Sequence, residues 1–417
     1  FEATGSTTVT PMTLAPGVWF WRATGVRGGV VGTTYGPTWQ FVVGHRSATV
    51  NTAWGSATDF NGDGYADLVV ADRRTVLVYP GGPTWGRTPP TVIGLAAPSG
   101  SLDFVSSLRS GGDLNGDGYP ELLVSISYIS ATSRRSRATL VFEGSRGGLL
   151  LASSHVYDQV ASSAEPIGDF DLDGRGDLAL DVMIARGLAD RWPEDTRVTR
   201  PLSGVAAGAA LGDINGDGFA DVALSELMLR DAGVTLVANI FNGNAAALTD
   251  RLAATLVGGA VVAALGDVDG DGYSDFAGPG GSGAATVLYR GGLGMLVGTS
   301  ALPTGSLTPA GDLDADGYDD VLLVDDASAA LLLGARSVPL SARRTLIAPG
   351  GVTLPRGLVR AAASIGDIDG DGTAELAIAT ASEQVHIYSG AASVTSGLPV
   401  RTIAGAPSSG FGLAIAR

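Results

Sequence analysis

One ten-residue pattern constrains this chain more than anything else in it, because it occurs seven times. In the first copy, Asp59-Phe60-Asn61-Gly62-Asp63-Gly64-Tyr65-Ala66-Asp67-Leu68, side-chain oxygens stand at positions 1, 3, 5 and 9. Glycine holds position 6, and apolar residues hold positions 2 and 10. Side chains at 1, 3 and 5 of a tight loop can converge on one point, and a carboxylate arriving at position 9 closes the shell. Hard oxygen ligands in this number suit Ca²⁺, which accepts about six to eight oxygens at roughly 2.3–2.6 Å. Gly64 stands where the backbone turns sharply, and its missing Cβ permits a positive φ. Position 7 has only its carbonyl to offer, which leaves the Tyr65 side chain free to vary.

The later copies keep an oxygen at each of those places. They are Asp113, Asn115, Asp117 and Glu121; Asp169, Asp171, Asp173 and Asp177; Asp213, Asn215, Asp217 and Asp221. Then follow Asp267, Asp269, Asp271 and Asp275; Asp312, Asp314, Asp316 and Asp320; and Asp367, Asp369, Asp371 and Glu375. Position 6 is Gly64, Gly118, Gly174, Gly218, Gly272, Gly317 and Gly372. A single loop of this kind is a moderate signal, but seven leave little room for chance. Only the third has a large side chain, Leu172, at position 4, where the others have Gly or Ala, and it is the expected weak member.

The loops begin at 59, 113, 169, 213, 267, 312 and 367, a period of roughly 45–55 residues. That length fits one four-stranded propeller blade and is too long for a leucine-rich or ankyrin repeat. Within each repeat a small-residue strand runs into Gly-Asp, as in Ala263-Ala264-Leu265-Gly266-Asp267. After the loop comes an apolar strand such as Leu68-Val69-Val70. A third strand ends in a glycine turn, as at Gly81, Gly291 and Gly390, and a more polar strand closes the unit. The apolar residues at positions 2 and 10 are expected to point between neighbouring blades and so tie each loop to the core. The predicted fold is therefore an all-β, seven-bladed propeller over residues 46–417.

Residues 1–45 differ, holding three of the six tryptophans (Trp19, Trp21 and Trp39) and no acidic loop. Leu14–Ala23 and Pro37–Val43 read as two strands joined by a Gly-rich loop. They resemble the last strands of a fibronectin type III-like sandwich, which needs about 100 residues in full. The chain is thus expected to be a piece of a longer protein, or this segment an extension packed on its neighbour. It begins at Phe1 without Met, as a mature or trimmed product does. At the other end, Ser408–Arg417 looks like the first strand of another repeat; it is expected to close the ring against the first blade, the alternative being an eighth blade.

Composition agrees with a turn-rich globular β protein: 45% hydrophobic, 16% charged, with 62 glycines in 417 residues. Seven divalent ions carry fourteen positive charges, close to cancelling the formal net charge of −16. The acidity therefore reads as metal demand. All 26 basic residues are arginine and none cluster, which argues against a nucleic-acid partner. The absence of cysteine excludes disulfides and thiolate metal sites. The uncharged run Leu252–Gly266 is shorter than the roughly 18–20 residues a membrane span needs, and reads as two strands meeting at Gly258-Gly259.

With these loops in hand, the sequence resembles the FG-GAP repeats of integrin α-subunit propellers and their bacterial VCBS-type relatives, over residues 46–417. The resemblance implies Ca²⁺ in the loop between the first two strands of each blade, about seven ions in all. It implies side-chain ligands at positions 1, 3, 5 and 9. A backbone carbonyl is added at position 7 by Tyr65, Tyr119, Arg175, Phe219, Tyr273, Tyr318 and Thr373. Two departures stand out. Phe-Gly occurs only at Phe411-Gly412 and Gly-Ala-Pro only at Gly405-Ala406-Pro407. All seven repeats carry a loop, whereas integrin propellers have loops in a subset, so the likeness is to a calcium-saturated bacterial propeller.

Other motifs give way to plainer readings. An EF-hand needs Glu at position 12, where the first loop has Val70. Arg175-Gly176-Asp177 spells an adhesive tripeptide, but Asp177 is position 9 of a loop and is expected to face inward. Gly278–Gly283 has dinucleotide-motif spacing, yet it precedes a strand and reads as a hairpin turn. His45, His155 and His386 show no partner pattern. Glu165, Glu194, Asp195 and Glu226 give no reason to choose an acid–base pair, so no catalytic residue is expected. The expected role is an exported, extracellular adhesion or recognition module binding a protein or glycan on a cell surface or matrix. A polysaccharide lyase or hydrolase and a sugar-binding lectin are the alternatives. Extracellular modules bind Ca²⁺ with Kd about 10⁻⁴–10⁻³ M, too weak to fill in cytosol.

Overall fold

Short apolar runs cut by glycine turns give antiparallel strands along the whole chain. A computed structural model describes residues 17–21, 24–27, 30–35, 39–43 and 49–50, then 58–416 except 159–163, 172–174, 181–182, 188–204, 218, 231–232, 244–251, 258, 260–262, 281–284, 293–297, 315, 337–339 and 341–342. Near the N-terminus, Gly17–Trp21 pairs antiparallel with Trp39–Val43, placing Trp19 opposite Phe41. The connection between them is not a plain loop as expected, because Thr24–Arg27 and Val30–Tyr35 form a hairpin of their own.

From Leu68 onward, seven antiparallel sheets follow one another among the described residues. The first contains Leu68–Ala71, Thr75–Tyr79 and Thr91–Gly94, and its leading strand comes from the far end of the chain. Ala414–Ile415 pairs with Leu68–Ala71, setting Ile415 against Val70. The C-terminal strand thus completes the first sheet. The second sheet runs Ser101–Ser110, Leu122–Ile129, Arg135–Glu143, Leu150–Asp158. The fourth, fifth and seventh repeat this four-strand order, led by Val205–Gly212, Ala263–Gly266 and Val359–Gly366. The third, led by Ala164–Gly168, shows three strands among the described residues. The sixth, led by Ser306–Gly311, gains a short fifth strand, Val352–Thr353.

The all-β expectation has one exception: Gly390 opens a helix, Gly390–Ser396, ended by Gly397 at φ 72°. The run at 252–266 is two strands, Leu252–Val257 and Ala263–Gly266. No helix among the described residues is long and apolar enough to cross a membrane.

The leading strands touch in sequence order, each sheet's against the next, and Ala414–Ile415 touches both Val359–Gly366 and Ser101–Ser110. The order of neighbours is therefore cyclic, and the architecture is β-propeller-like. Small residues such as Ala209, Ala210, Ala263 and Ala362 suit strands that converge.

Apolar clusters fill the junction between each sheet and the next, and positions 2 and 10 of the loops supply them as expected. Phe60 shares a cluster with Leu122, Leu114 with Leu178, Phe170 with Val222, and Ile214 with Phe276. Val268 shares one with Val321, Leu313 with Leu376, and Ile368 with Leu68, which returns to the first sheet. All fourteen are buried. Burying each such side chain stabilises by about 1.5–3 kcal/mol, so the residues flanking an acidic loop also hold two sheets together.

Candidate metal centres

Each acidic loop is wound by its own carboxylates. Asp59 Oδ1 accepts the N–H groups of Gly62 (2.7 Å) and Asp63 (3.1 Å), and Oδ2 accepts that of Gly64 (2.9 Å). Asn61 Oδ1 accepts from the Asp63 N–H (2.8 Å) and Asp63 Oδ1 from the Tyr65 N–H (3.0 Å). Gly64 has φ 96°, the left-handed turn its position called for. The same position-1 pattern recurs at Asp113, Asp267, Asp312 and Asp367.

Position 9 has a second task that its spacing did not reveal. Asp67 Oδ2 accepts the Phe60 N–H (3.0 Å) and Oδ1 accepts the Gly81 N–H (2.9 Å), so one carboxylate clamps the loop to the end of the third strand. Asp177, Asp221, Asp275 and Asp320 repeat the clamp on Gly187, Gly243, Gly291 and Gly334. The two glutamates differ. Glu121 Oε2 accepts the Leu114 N–H and Glu375 Oε2 the Ile368 N–H, but Glu375 Oε1 is buried without a partner.

The side chains do converge. Ligand atoms of Asp169, Asp171 and Asp177 lie within 4.8 Å of one another, as do those of Asp267, Asp269 and Asp271, of Asp312, Asp314 and Asp316, and of Asp367, Asp369 and Asp371. Where position 3 is asparagine, its amide does the gathering. Asn115 Nδ2 donates to Asp117 Oδ2 (3.1 Å) and Glu121 Oε1 (3.2 Å), and Asn215 Nδ2 to Asp221 Oδ2 (3.4 Å). Asp173 and Leu172 lie outside the described residues.

Clustering acids in a dry place penalises their charge. Burial, helped by neighbouring carboxylates, pushes Asp67, Asp177, Asp275 and Asp320 up to about 8 and Glu375 to about 9. Asp221 rises to about 7, and Asp59 and Asp113 to about 6, from the same leading cause. A bound cation would relieve both penalties. The orphaned oxygens Asp314 Oδ1 and Glu375 Oε1, each buried in an acidic loop with no donor, mark where one is missed most. Oxygen-only donors in this number fit Ca²⁺.

Among the described residues, two loops have an arginine paired with one of their acids. Arg186 pairs with Asp171 in the third, and Arg290 Nε lies 2.9 Å from Asp269 Oδ2 in the fifth.

Residues 59–124, which span the first two loops and the strand after each, match the FG-GAP-like repeat family. Over that stretch the chain is FG-GAP-like. No curated protein matches it. Among solved structures, the one described as BBS1N in complex with ARL6DN, soaked with mercury, is similar at 14% identity and a TM-score of 0.39, over 70% of this chain and 79% of that one.

The acidic loops also grip one another. In four of them the N–H after position 7 reaches back to the position-1 carbonyl of the loop before: Ala66 to Asp367, Gly176 to Asp113, Ser274 to Asp213, and Asp319 to Asp267. The position-7 residue varies among Tyr, Arg, Phe and Thr, but its tyrosines pack against a neighbouring loop. A Cβ at Gly62 would stand 2.6 Å from Cε1 of Tyr119, at Gly216 2.5 Å from Tyr273, at Gly270 2.7 Å from Tyr318, and at Gly370 2.5 Å from Tyr65. In these four pairs the position-7 ring lies over the position-4 glycine of the preceding acidic loop, so the pattern Gly-x-x-Tyr is read between repeats rather than within one.

The remaining motifs settle as plain structure. Asp177 is fully buried in its clamp, so Arg175-Gly176-Asp177 is not displayed. Gly280 N–H bonds to the Ala285 carbonyl (2.7 Å), the expected hairpin. Glu165 pairs with Arg109 at 3.2 Å across the second and third sheets. His386 is buried, with Nδ1 2.9 Å from Thr402 Oγ1. His45, Glu194 and Asp195 lie outside the described residues, as does the side chain of Glu226.

Proposed function

We propose that the chain is a calcium-stabilised, seven-bladed propeller, exported, and acting as a non-catalytic recognition or adhesion module of a larger surface or secreted protein. The observation that carries this reading is the coincidence of three features at every sheet junction. An acidic loop, its flanking apolar pair and a glycine that meets the preceding loop all occur together, and their order is cyclic. Ions at positions 1, 3, 5 and 9, with the position-7 carbonyl, would neutralise the loops and hold each junction. The ring so formed is a rigid platform whose connecting loops are available to a protein or glycan ligand. Export is part of the proposal because loops with the Ca²⁺ affinity of extracellular modules, about 10⁻⁴–10⁻³ M, would stay unfilled in the cytosol.

The test presents the full chain to a glycan array, to acidic polysaccharides and to matrix proteins, with about 1 mM calcium or with EDTA. Retention on at least one surface, lost in EDTA and accompanied by no cleavage product, is the expected result. Release of sugar fragments would make the chain an enzyme and overturn the non-catalytic reading.

A further inference from the structure

We propose that Arg186 and Arg290 are built-in counter-cations that make the third and fifth loops weaker calcium sites than the sixth and seventh. The inference rests on the calcium reading above. These four loops are alike in carrying four acids each, Asp169/171/173/177, Asp267/269/271/275, Asp312/314/316/320 and Asp367/369/371 with Glu375. The first, second and fourth loops have asparagine at position 3 and carry three.

Both arginines occupy the same place in their repeats, immediately before the glycine that ends the third strand, at Arg186-Gly187 and Arg290-Gly291. That glycine N–H is clamped at 2.9 Å by the position-9 carboxylate in each loop, which brings the arginine to its own loop. There it pairs with position 3. Asp171 and Asp269 have side chains only 3% and 4% exposed, while Arg186 and Arg290 remain 37% and 29% exposed. Arg290 and Asp269 meet as an ion pair, without the alignment of a hydrogen bond. In the sixth and seventh repeats the corresponding residues are Leu333 and Ser389, which carry no charge. It is in these two loops that a buried carboxylate oxygen is orphaned, Asp314 Oδ1 in one and Oε1 of the fully buried Glu375 in the other.

The contrast is one of supply. A buried carboxylate needs a cation or a donor. In the third and fifth loops arginine provides a cation permanently; in the sixth and seventh the residue at that place is uncharged, and Asp314 Oδ1 and Glu375 Oε1 have neither a cation nor a donor among the described residues. An incoming Ca²⁺ must share Asp171 or Asp269 with a guanidinium and is repelled by its charge. A unit charge within about 6 Å of the ion weakens binding by about tenfold or more, even at a high effective dielectric. Arginine in turn keeps one buried acid of the third and fifth loops paired when calcium is scarce, so the ring is not equally dependent on the ion around its circumference.

The experiment titrates calcium into the metal-free full chain by calorimetry and counts the tightest class of sites. Two are expected. Arg290→Gln should raise the count to three, and Leu333→Arg, which plants an arginine beside Asp314, should lower it to one, with circular dichroism confirming that each variant folds. Should Leu333→Arg not fold, Arg290→Gln decides alone. Seven equivalent sites, or a count unchanged by the substitutions in folded protein, would overturn the inference and leave the calcium reading standing. No calcium binding at all would overturn that reading, and this inference with it.

Discussion

Stripping divalent cations at pH 8 is expected to lower the melting temperature by tens of degrees. At millimolar calcium, a site with Kd near 10⁻⁴ M contributes about 1.4 kcal/mol through RT ln(1 + [L]/Kd). Seven such sites sum to about 10 kcal/mol, comparable with the roughly 5–15 kcal/mol by which whole domains are stable. The titration of the loops gives the effect its pH dependence. Asp67, Asp177, Asp275 and Asp320 titrate at about 8 in the folded metal-free chain and near 3.8 when unfolded. Between those values the folded chain holds protons that the unfolded chain has released. Their contribution is complete below about pH 4 and is lost as the pH rises through 8. In EDTA the melting temperature should therefore fall from pH 5 to pH 8 by about 10 °C or more. Calcium, which requires the ionised acids, should stabilise more as the pH rises. Coincident melts in EDTA and calcium at pH 8 would remove the ion from the account.

The second large effect concerns the glycines whose N–H groups the position-9 carboxylates clamp. A Cβ on Gly243 would stand 2.3 Å from the Ala220 carbonyl oxygen, 2.6 Å from Phe219 Cβ and 2.9 Å from the Phe170 carbonyl oxygen of the preceding loop. Gly81 faces Ala66, Tyr65 and Ile368 in the same way, and Gly334 faces Asp319, Tyr318 and Val268. None of the three has a positive φ among the recorded glycines, so space and not backbone conformation demands glycine here. Two sheets and their loops pass through the volume of one methyl group. Gly243→Ala is expected to cost about 3 kcal/mol or more, at the upper end for overpacking, because the obstacles are backbone atoms. Gly94→Ala, with nothing within 4 Å of the added carbon, serves as the control and should stay within about 0.5 kcal/mol. Urea denaturation of the two variants checks this; equal midpoints would mean that the sheets are not packed at these glycines.

These glycines also mark the limit of what could be read from residues alone. The aspartate loops were legible because their ligands are close in sequence, and Phe60 or Leu68 because an apolar residue beside an acidic loop has few other places to go. Gly81 and Gly243 read as ordinary turn glycines, since the carbonyls they avoid belong partly to another repeat, Ile368 for Gly81 and Phe170 for Gly243. Tyr119 looked unconstrained for the same reason: what it covers is Gly62. Position 9 was read as a ligand from its spacing, but its clamp on the third strand depends on a partner, Gly81, fourteen residues on. Arg186 and Arg290 carried no local signal at all, because the charge they meet is brought to them by folding. Spacing reveals what a loop can bind, while contacts between repeats come only with the ring.

The most direct measurement is a crystal of the chain grown in calcium, with anomalous scattering recorded at long wavelength. The expected map has a peak inside each of the seven acidic loops, enclosed by the oxygens at positions 1, 3, 5 and 9, weaker at Asp171 and Asp269 than at Asp314 and Asp369 when calcium is limiting. Loops without anomalous density at millimolar calcium, their carboxylates protonated or turned to solvent, would contradict the account at its root.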